Sequence, residues 1–402
     1  MFKKYWIVFF ISILALILIA GCVSYLEKPK DSNHNLGYYE IEQNVPKYSQ
    51  SVTIPPKIVV PPRATPIIYP LNISDSACDF LDLAFYNNIA YTAYSDAKQN
   101  YKIIVKQFNG SAWENLGSSP INDDQAYWPN IEIINNQPVV FYVDRRKGYS
   151  ISGKYFDGTW QNIPVDELPS SKIGVLKTHS HKDSLFLAYS DSNSGGVVSA
   201  FWKNNQWTLL PVLNRYNHKV IDLDIVTIKN DVYLALIDSS VAYNILVYKL
   251  SNNNWDIVGN FSLVDFFAGD LSLATNGEQP YVSYITYKDD ASFCKINVKK
   301  FNGKKWETVG NPFSTPGKAR FAELQINKNC LFLAYADLEN KKPIVLRLIN
   351  NNWTAISKPE DVTGKTNQLV HFVYKNFSYV GYIDEENNYR ATALPLPLTE
   401  LP

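Results

Sequence analysis

Apolar residues recur along this chain in short bursts with the period of a strand. Seven bursts, "IAYTAYSD", "PVVFYVD", "LFLAYSD", "VYLALID", "PYVSYIT", "LFLAYAD" and "SYVGYID", end at Asp96, Asp144, Asp191, Asp238, Thr286, Asp337 and Asp384. Two residues before each end stands Tyr94, Tyr142, Tyr189, Leu236, Tyr284, Tyr335 or Tyr382. Five before it stands Tyr91, Val139, Phe186, Tyr233, Tyr281, Phe332 or Tyr379. Side chains alternate along a strand, so these two sets lie on opposite faces, and both are apolar. A strand apolar on both faces is packed between two neighbouring layers. No segment after the first 22 residues sustains a 3.6-residue period, so helices should be nearly absent.

A second landmark keeps step with the first. Trp113, Trp160, Trp207, Trp255, Trp306 and Trp353 recur every 47 to 51 residues, each behind a turn signal such as "NGSA", "DGT" or "NNN". Asn-Gly, Asp-Gly and Asn-Asn pairs tolerate the positive φ that tight hairpins require. Each unit therefore reads as four strands: an inner one, the Tyr-rich one, one like "INVKKF", and the tryptophan strand. Four-stranded units repeating at this length, buried on both faces, predict the blades of a β-propeller. The seventh unit ends without its outer strand, while "TPIIYPLNIS", Thr65 to Ser74, stands spare before the first. Lending that strand to the last blade closes the ring and removes open edges. The expected fold is all-β: a seven-bladed propeller of four-stranded antiparallel blades over residues 65–402. A six-bladed ring with an appendage is the competing count.

The first 22 residues are a different object. Lys3 and Lys4 precede an apolar run from Tyr5 to Ala20 that ends in "IAGC", Ile19 to Cys22. The run is short for a membrane span and has the layout of an export signal. Its end resembles the lipobox of bacterial lipoprotein precursors, which implies cleavage before Cys22 and lipid on that residue. An uncleaved anchor is the alternative, and both place the body outside the cytoplasm, at the cell membrane or an outer membrane. Residues 23–64 carry "VTIPPKIVVPP" and little apolar periodicity, which predicts an extended Pro-rich tether. Three cysteines remain, Cys78, Cys294 and Cys330, and are read as buried thiols.

The repeat itself, with lines such as "QPYVSYIT" and "INVKKFNGKKWETVG", resembles tandem propeller repeats of exported bacterial proteins. Their running pattern is P-Y-V-A-Y-x-D followed by F-N-G-x-x-W-x-x-V-G. The resemblance covers about Asp79 to Leu398 and implies architecture, with almost no catalytic information. The glycine pairs of kelch repeats, the sialidase Asp box and the Gly-His and Trp-Asp pairs of Trp-Asp repeats are missing from the units.

Charge narrows the function. Lys+Arg and Asp+Glu both number 38, a balance that argues against nucleic acid as a partner. The recurring Asp is needed in every blade, which marks a turn-former rather than a site. Function should lie in what does not repeat. The divergent loops entering the inner strands offer Asp123, Asp124 and Trp128, then Arg215, Tyr216, His218 and Asp222, then Asp265, Phe266 and Phe267, and also Arg320. Arg145 follows the second strand of the second unit. Aromatics beside hydrogen-bonding charges on a rigid ring suit a sugar or a peptide. His179 and His181 share a face without a third ligand in reach, so neither metal nor cofactor is expected. The expectation is a lipid-anchored binding or scaffolding module for a glycan or an envelope protein, not an enzyme. Two alternatives stay open: a glycan hydrolase or lyase using Asp123, Asp124, Asp222 and Asp265 near the channel, and a structural lipoprotein of envelope assembly.

Overall fold

The computed structural model of the chain describes residues 71–169, 172–213, 219–241, 243–259, 267–287, 294–311, 313–315, 318–340, 342–357 and 366–398. The signal segment, the tether and the first part of the spare strand lie outside them. The described residues form seven separate antiparallel sheets in a ring, a seven-bladed β-propeller. The inner strands are Cys78–Tyr86, Ala126–Ile134, Ile173–His181, Val220–Ile228, Phe267–Thr275, Ala319–Asn327 and Thr366–Tyr374. Each continues outward through consecutive hairpins. Helical structure among the described residues is limited to three 3-10 turns, at Ala97–Gln99, Arg145–Lys147 and Ser239–Val241. None is long and apolar enough to cross a membrane.

Closure takes the form the spare strand implied. Leu71–Asn72 pairs antiparallel with Arg390–Pro397 and completes the seventh blade from the other end of the chain. The Ile73 amide donates to the Ala391 carbonyl at 2.8 Å, and Ser74 Oγ accepts from the Ala391 amide at 2.8 Å. Buried Lys106 donates to the Ile73 carbonyl at 2.9 Å and pairs with Asp75 at 2.7 Å, fixing the closing segment to the first blade.

The hydrophobic core lies between blades rather than within them. Seven main clusters fill seven wedges; one joins Ala84, Tyr91 and Val105 of the first blade to Ile131 and Tyr142 of the second. The last wedge joins Ile383 and Ala393 of the seventh blade to Leu83, Tyr94 and Cys78 of the first. The Tyr-rich strand of the first blade, Ile89–Asp96, is buried at every position, as a strand inside two wedges must be. Cys78 and Cys294 pack as small hydrophobes, and no disulfide joins any two of the three described cysteines.

The repeated motif is the sewing of these wedges. The indoles of Trp160, Trp207, Trp255 and Trp306 donate to the carbonyls of Leu116, Pro164, Pro211 and Val258, just beyond the outer strand of the preceding blade, at 2.7–2.8 Å. The glycine that follows the tryptophan makes room for the next blade. A Cβ on Gly117 would stand 2.5 Å from Phe156, and one on Gly310 would stand 2.5 Å from the Trp353 indole nitrogen. The turn before each tryptophan strand carries its positive φ on Gly110, Gly158 and Gly303, or on Asn pairs such as Asn204 and Asn205.

At Gly117 positive φ and close contact coincide, so Gly117→Ala should lower the unfolding free energy by about 2 kcal/mol. Gly158, at φ +109 with open space beside it, provides the comparison. Its alanine variant meets only the backbone penalty, about 1 kcal/mol. Urea unfolding of the two variants checks the order, and equal losses would contradict the wedge contact.

Candidate functional site

The recurring aspartates are turn-formers, as the repeat argued. Asp96 accepts from the Gln99 amide at 3.1 Å, Asp144 from Arg146 at 2.9 Å, Asp191 from Asn193 at 2.9 Å and Asp238 from Ser240 at 2.9 Å. Asp337 and Asp384 do the same for Glu339 and Glu386, both at 3.0 Å. Their oxygens order the loops that carry the site.

Non-repeating chemistry appears when the inner strands are aligned by register. The residues opposite Ala93, Phe141, Ala188, Ala235, Ser283, Ala334 and Gly381 are Asp82, Asn130, Lys177, Asp224, Ser272, Glu323 and Val370. They form one ring of seven side chains, of six residue types, around the channel, all buried. Several accept a hydrogen bond from the inner strand of the next blade: Asp82 from the Ile131 amide at 2.8 Å, Asp224 from Leu273 at 2.8 Å, Ser272 from Leu324 at 3.3 Å and Glu323 from His371 at 3.2 Å. Lys177, Asp82 and Asp224 all act electrostatically on Glu323, so charges from the first, third, fourth and sixth blades meet near the axis. Burial raises the carboxyls of Glu132, Asp224 and Glu323, with Lys177 pulling the last two down. His179 and His371 are pushed down to about 3 by burial and are neutral. Glu323 Oε1 and Asn130 Oδ1 are buried without a hydrogen-bond partner among the described residues. No group of three His, Cys, Asp or Glu side chains among them is arranged to hold a metal ion.

Two residues before the ring stand Phe80, Trp128, Val175, Asp222, Asp270, Phe321 and Gln368; six of the inner strands carry a β-bulge there, and in the fourth it falls one residue earlier, at Ile221. Val175 and Asp222 are buried, and the others line the mouth. Phe80, Trp128, Asp270 and Phe321 have left-handed backbones, with φ between 52° and 59°. The three aromatics are half-buried and stand in the sixth, first and second blades, with Gln368 of the seventh between Phe321 and Phe80. Phe80 meets Trp128 edge-on at 6.2 Å and Tyr127 at 5.9 Å, and Tyr127 stacks on Tyr149 at 5.9 Å. Lys172 lies 5.9 Å over the Tyr149 ring. Beside Phe321 stands a polar pair, where Asp270 accepts from Arg320 Nε at 2.9 Å and from the Tyr287 hydroxyl at 2.8 Å.

The residues proposed from sequence divide by location. Trp128 and Arg320 stand at the mouth. Asp123 is exposed and pairs with Arg146 at 3.2 Å, Asp124 accepts from the Gln125 amide at 2.7 Å, and Arg145 donates to Gln125 at 2.9 Å, all on the rim. Phe267 packs edge-on against Tyr243 at 5.3 Å. Asp222 is buried, and its two oxygens accept from the Leu223 and Leu271 amides at 2.9 and 2.7 Å, so it clips two blades together. Arg215, Tyr216, His218, Asp265, Phe266 and Cys22 lie outside the described residues. Phe80, Phe321 and the channel ring escaped the loop-based reading. No repeat pattern marks them: the ring shares a register without a residue type, and the bulges that carry the two aromatics leave no signal in the sequence.

Ring, wedges and mouth define a β-propeller with a recessed, aromatic-rimmed loop face. No family model and no curated protein matches the chain. Among solved structures it is similar to the polysaccharide lyase Uly1, at 10% identity and TM-score 0.51 over 89% of this chain and 98% of that one. It is also similar to SapL1 lectin in complex with alpha methyl fucoside, at 11% identity and TM-score 0.47 over 71% of this chain and 96% of that one. The fucose-specific lectin from Aleuria aurantia aligns at 13% identity and TM-score 0.46 over 71% and 96%. The lyase comparison supports the fold alone, and the two lectin comparisons add no weight to it.

Burial raises the Asp222 carboxyl to about 8, against the pull of Lys177 and the Leu271 amide. The folded chain then keeps a proton that the unfolded chain releases near pH 4. The resulting stability is complete below about pH 4 and is lost as the pH rises through about 8. Urea midpoints should fall across that window, and Asp222→Asn should flatten the fall. An unchanged slope in the variant would rule out this assignment.

Proposed function

We propose that this chain is a saccharide-binding module displayed outside the cytoplasm, held by lipid on Cys22 and spaced from the membrane by residues 23–64. The supporting observation is the trio of Phe321, Phe80 and Trp128 at the mouth. Left-handed backbone suits Gly or Asn, and the chain places Asn at most of its tight hairpins, including Asn87, Asn88, Asn135 and Asn136. At the bulges it places large aromatic rings instead, half-exposed at the mouth of a rigid wheel. Strain of this kind, on the order of 1–3 kcal/mol per residue, persists where a side chain is needed in that place. Flat apolar faces beside fixed polar groups fit the C–H faces and hydroxyls of a sugar.

Hydrolysis by paired acids is the weaker reading, because both oxygens of Asp222 are occupied by backbone amides and Asp123 is paired on the outer rim. An assembly surface is weaker too. The exposed large hydrophobics among the described residues, Leu209, Val212, Val241, Ile257, Ile349 and Tyr389, are spread over the third, fourth, sixth and seventh blades.

Glycan-array screening of the chain should return saccharide ligands, with Trp128→Ala weakening binding by the folded chain about tenfold or more. Failure of every glycan to bind would end this reading. Separately, a palmitate analogue supplied to cells making the full chain should label it, and Cys22→Ala should abolish the label; a labelled Cys22→Ala chain would exclude that anchor.

A further inference from the structure

We propose that the ligand of this mouth is an acidic saccharide, and that Arg320 recognises its carboxylate or sulfate; this deepens the saccharide-binding reading and rests on it. The reasoning starts from a departure within the ring. Two residues before the ring stand Asp222 in the fourth blade and Asp270 in the fifth, the first in regular strand and the second in the bulge. Asp222 joins its blade to the next through the Leu271 amide at 2.7 Å. Asp270 is turned instead to a side chain, accepting from Arg320 Nε through both oxygens at 2.9 and 3.2 Å. A blade junction therefore does not require an arginine, and the fifth blade uses its buried carboxylate to hold one.

The support is built with care for orientation. The Asp270 side chain is 2% exposed and that of Arg320 is 24% exposed, so the carboxylate is sealed while part of the arginine side chain reaches solvent. The buried Tyr287 hydroxyl donates to Asp270 Oδ2 at 2.8 Å and fixes it from behind. The guanidinium lies 5.1 Å over the ring of Phe321, itself one of the mouth aromatics. A cation with its rotamer set before the ligand arrives loses little entropy on binding, and a planar guanidinium matches a carboxylate or sulfate. Partial burial strengthens its field over that of a surface lysine. A uronic or sulfated sugar can lay its C–H face on the aromatics and turn its charge to Arg320. A neutral sugar has no use for a cation held this way. The buried acids of the channel floor, Asp82, Asp224 and Glu323, oppose an anion above them, so acidic preference depends on Arg320 outweighing them at contact range.

The test uses the full chain in detergent micelles and matched oligosaccharide pairs: polyuronates with their carboxyl-reduced forms, and sulfated oligomers with their desulfated forms. At least one acidic member should bind tenfold or more tightly than its neutral partner, more weakly as salt rises, and the pair that responds separates carboxylate from sulfate. Arg320→Gln should bring the acidic ligand down to its neutral partner, and Arg320→Lys should restore part of the ratio. Melting temperatures are measured alongside, and the wild-type ratio stands whether or not a variant folds. Equal binding within every pair, weakened by Trp128→Ala, would overturn the acidic preference and leave the saccharide reading intact. Binding of no oligosaccharide, or of acidic peptides alone, would defeat both.

Discussion

The constraint on which this molecule depends is the inward edge of seven separate sheets. Each inner strand pairs on one side only, and its other edge faces a narrow channel. Backbone amides cannot be left unpaired there without a penalty of about 1–3 kcal/mol each. The chain answers with acceptor side chains reaching from one blade to the next: Asp82 to Ile131, Asp222 to Leu271, Asp224 to Leu273, Ser272 to Leu324 and Glu323 to His371. The same choice concentrates carboxyls at the axis, where burial raises them towards neutrality and Lys177 offsets part of what charge remains. Closure and channel electrostatics are one decision.

Placing the core between blades explains which residues repeat. A wedge needs a strand apolar on both faces, an indole long enough to reach the preceding blade, and a glycine where that blade would collide with it. The seam between the seventh and first blades shows the rule by exception. Its outer strand comes from residues 71–72, and the buried Trp113 indole nitrogen has no hydrogen-bond partner among the described residues. Other contacts carry that seam. Phe85 packs against Phe372, Tyr374 and Tyr379 at 4.3–5.8 Å, and the Phe80 amide donates to Gln368 at 2.9 Å.

The architecture was legible in the sequence because every wedge makes the same demands, which leaves the Tyr, Asp and Trp landmarks in step along the chain. The site was legible only in part. Trp128 and Arg320 could be found from loop divergence, since each stands in a divergent stretch that runs on into an inner strand. Phe80 and Phe321 could not, because an aromatic within an apolar strand reads as packing until the bulge beneath it is known. Asp222 was misleading for a related reason. It sits where a loop becomes a strand, and only the register shows that its oxygens face the next blade's amides rather than solvent. Asp82, Lys177 and Glu323 share a register without sharing a residue type, so no repeat pattern reveals them.

The bulge is what lets the mouth vary while the ring stays closed. It inserts its irregularity between Asp79 and Asp82, Tyr127 and Asn130, or Arg320 and Glu323, just above the ring of acceptors. Below it, strand register is regular and the amide bonds between blades are fixed. Above it, the backbone turns left-handed and a side chain is re-aimed without moving the acceptors beneath. A residue here can change from Phe to Trp to Asp between blades and still leave the next blade's amides satisfied. Such positions tolerate chemistry that the wedges and channel do not, and the chain fills them with rings and one supported ion pair. A glycine at each bulge would relieve the backbone and leave the mouth bare, whereas the rings also pack on the wedges beneath them, Trp128 on that between the second and third blades and Phe321 on that between the sixth and seventh.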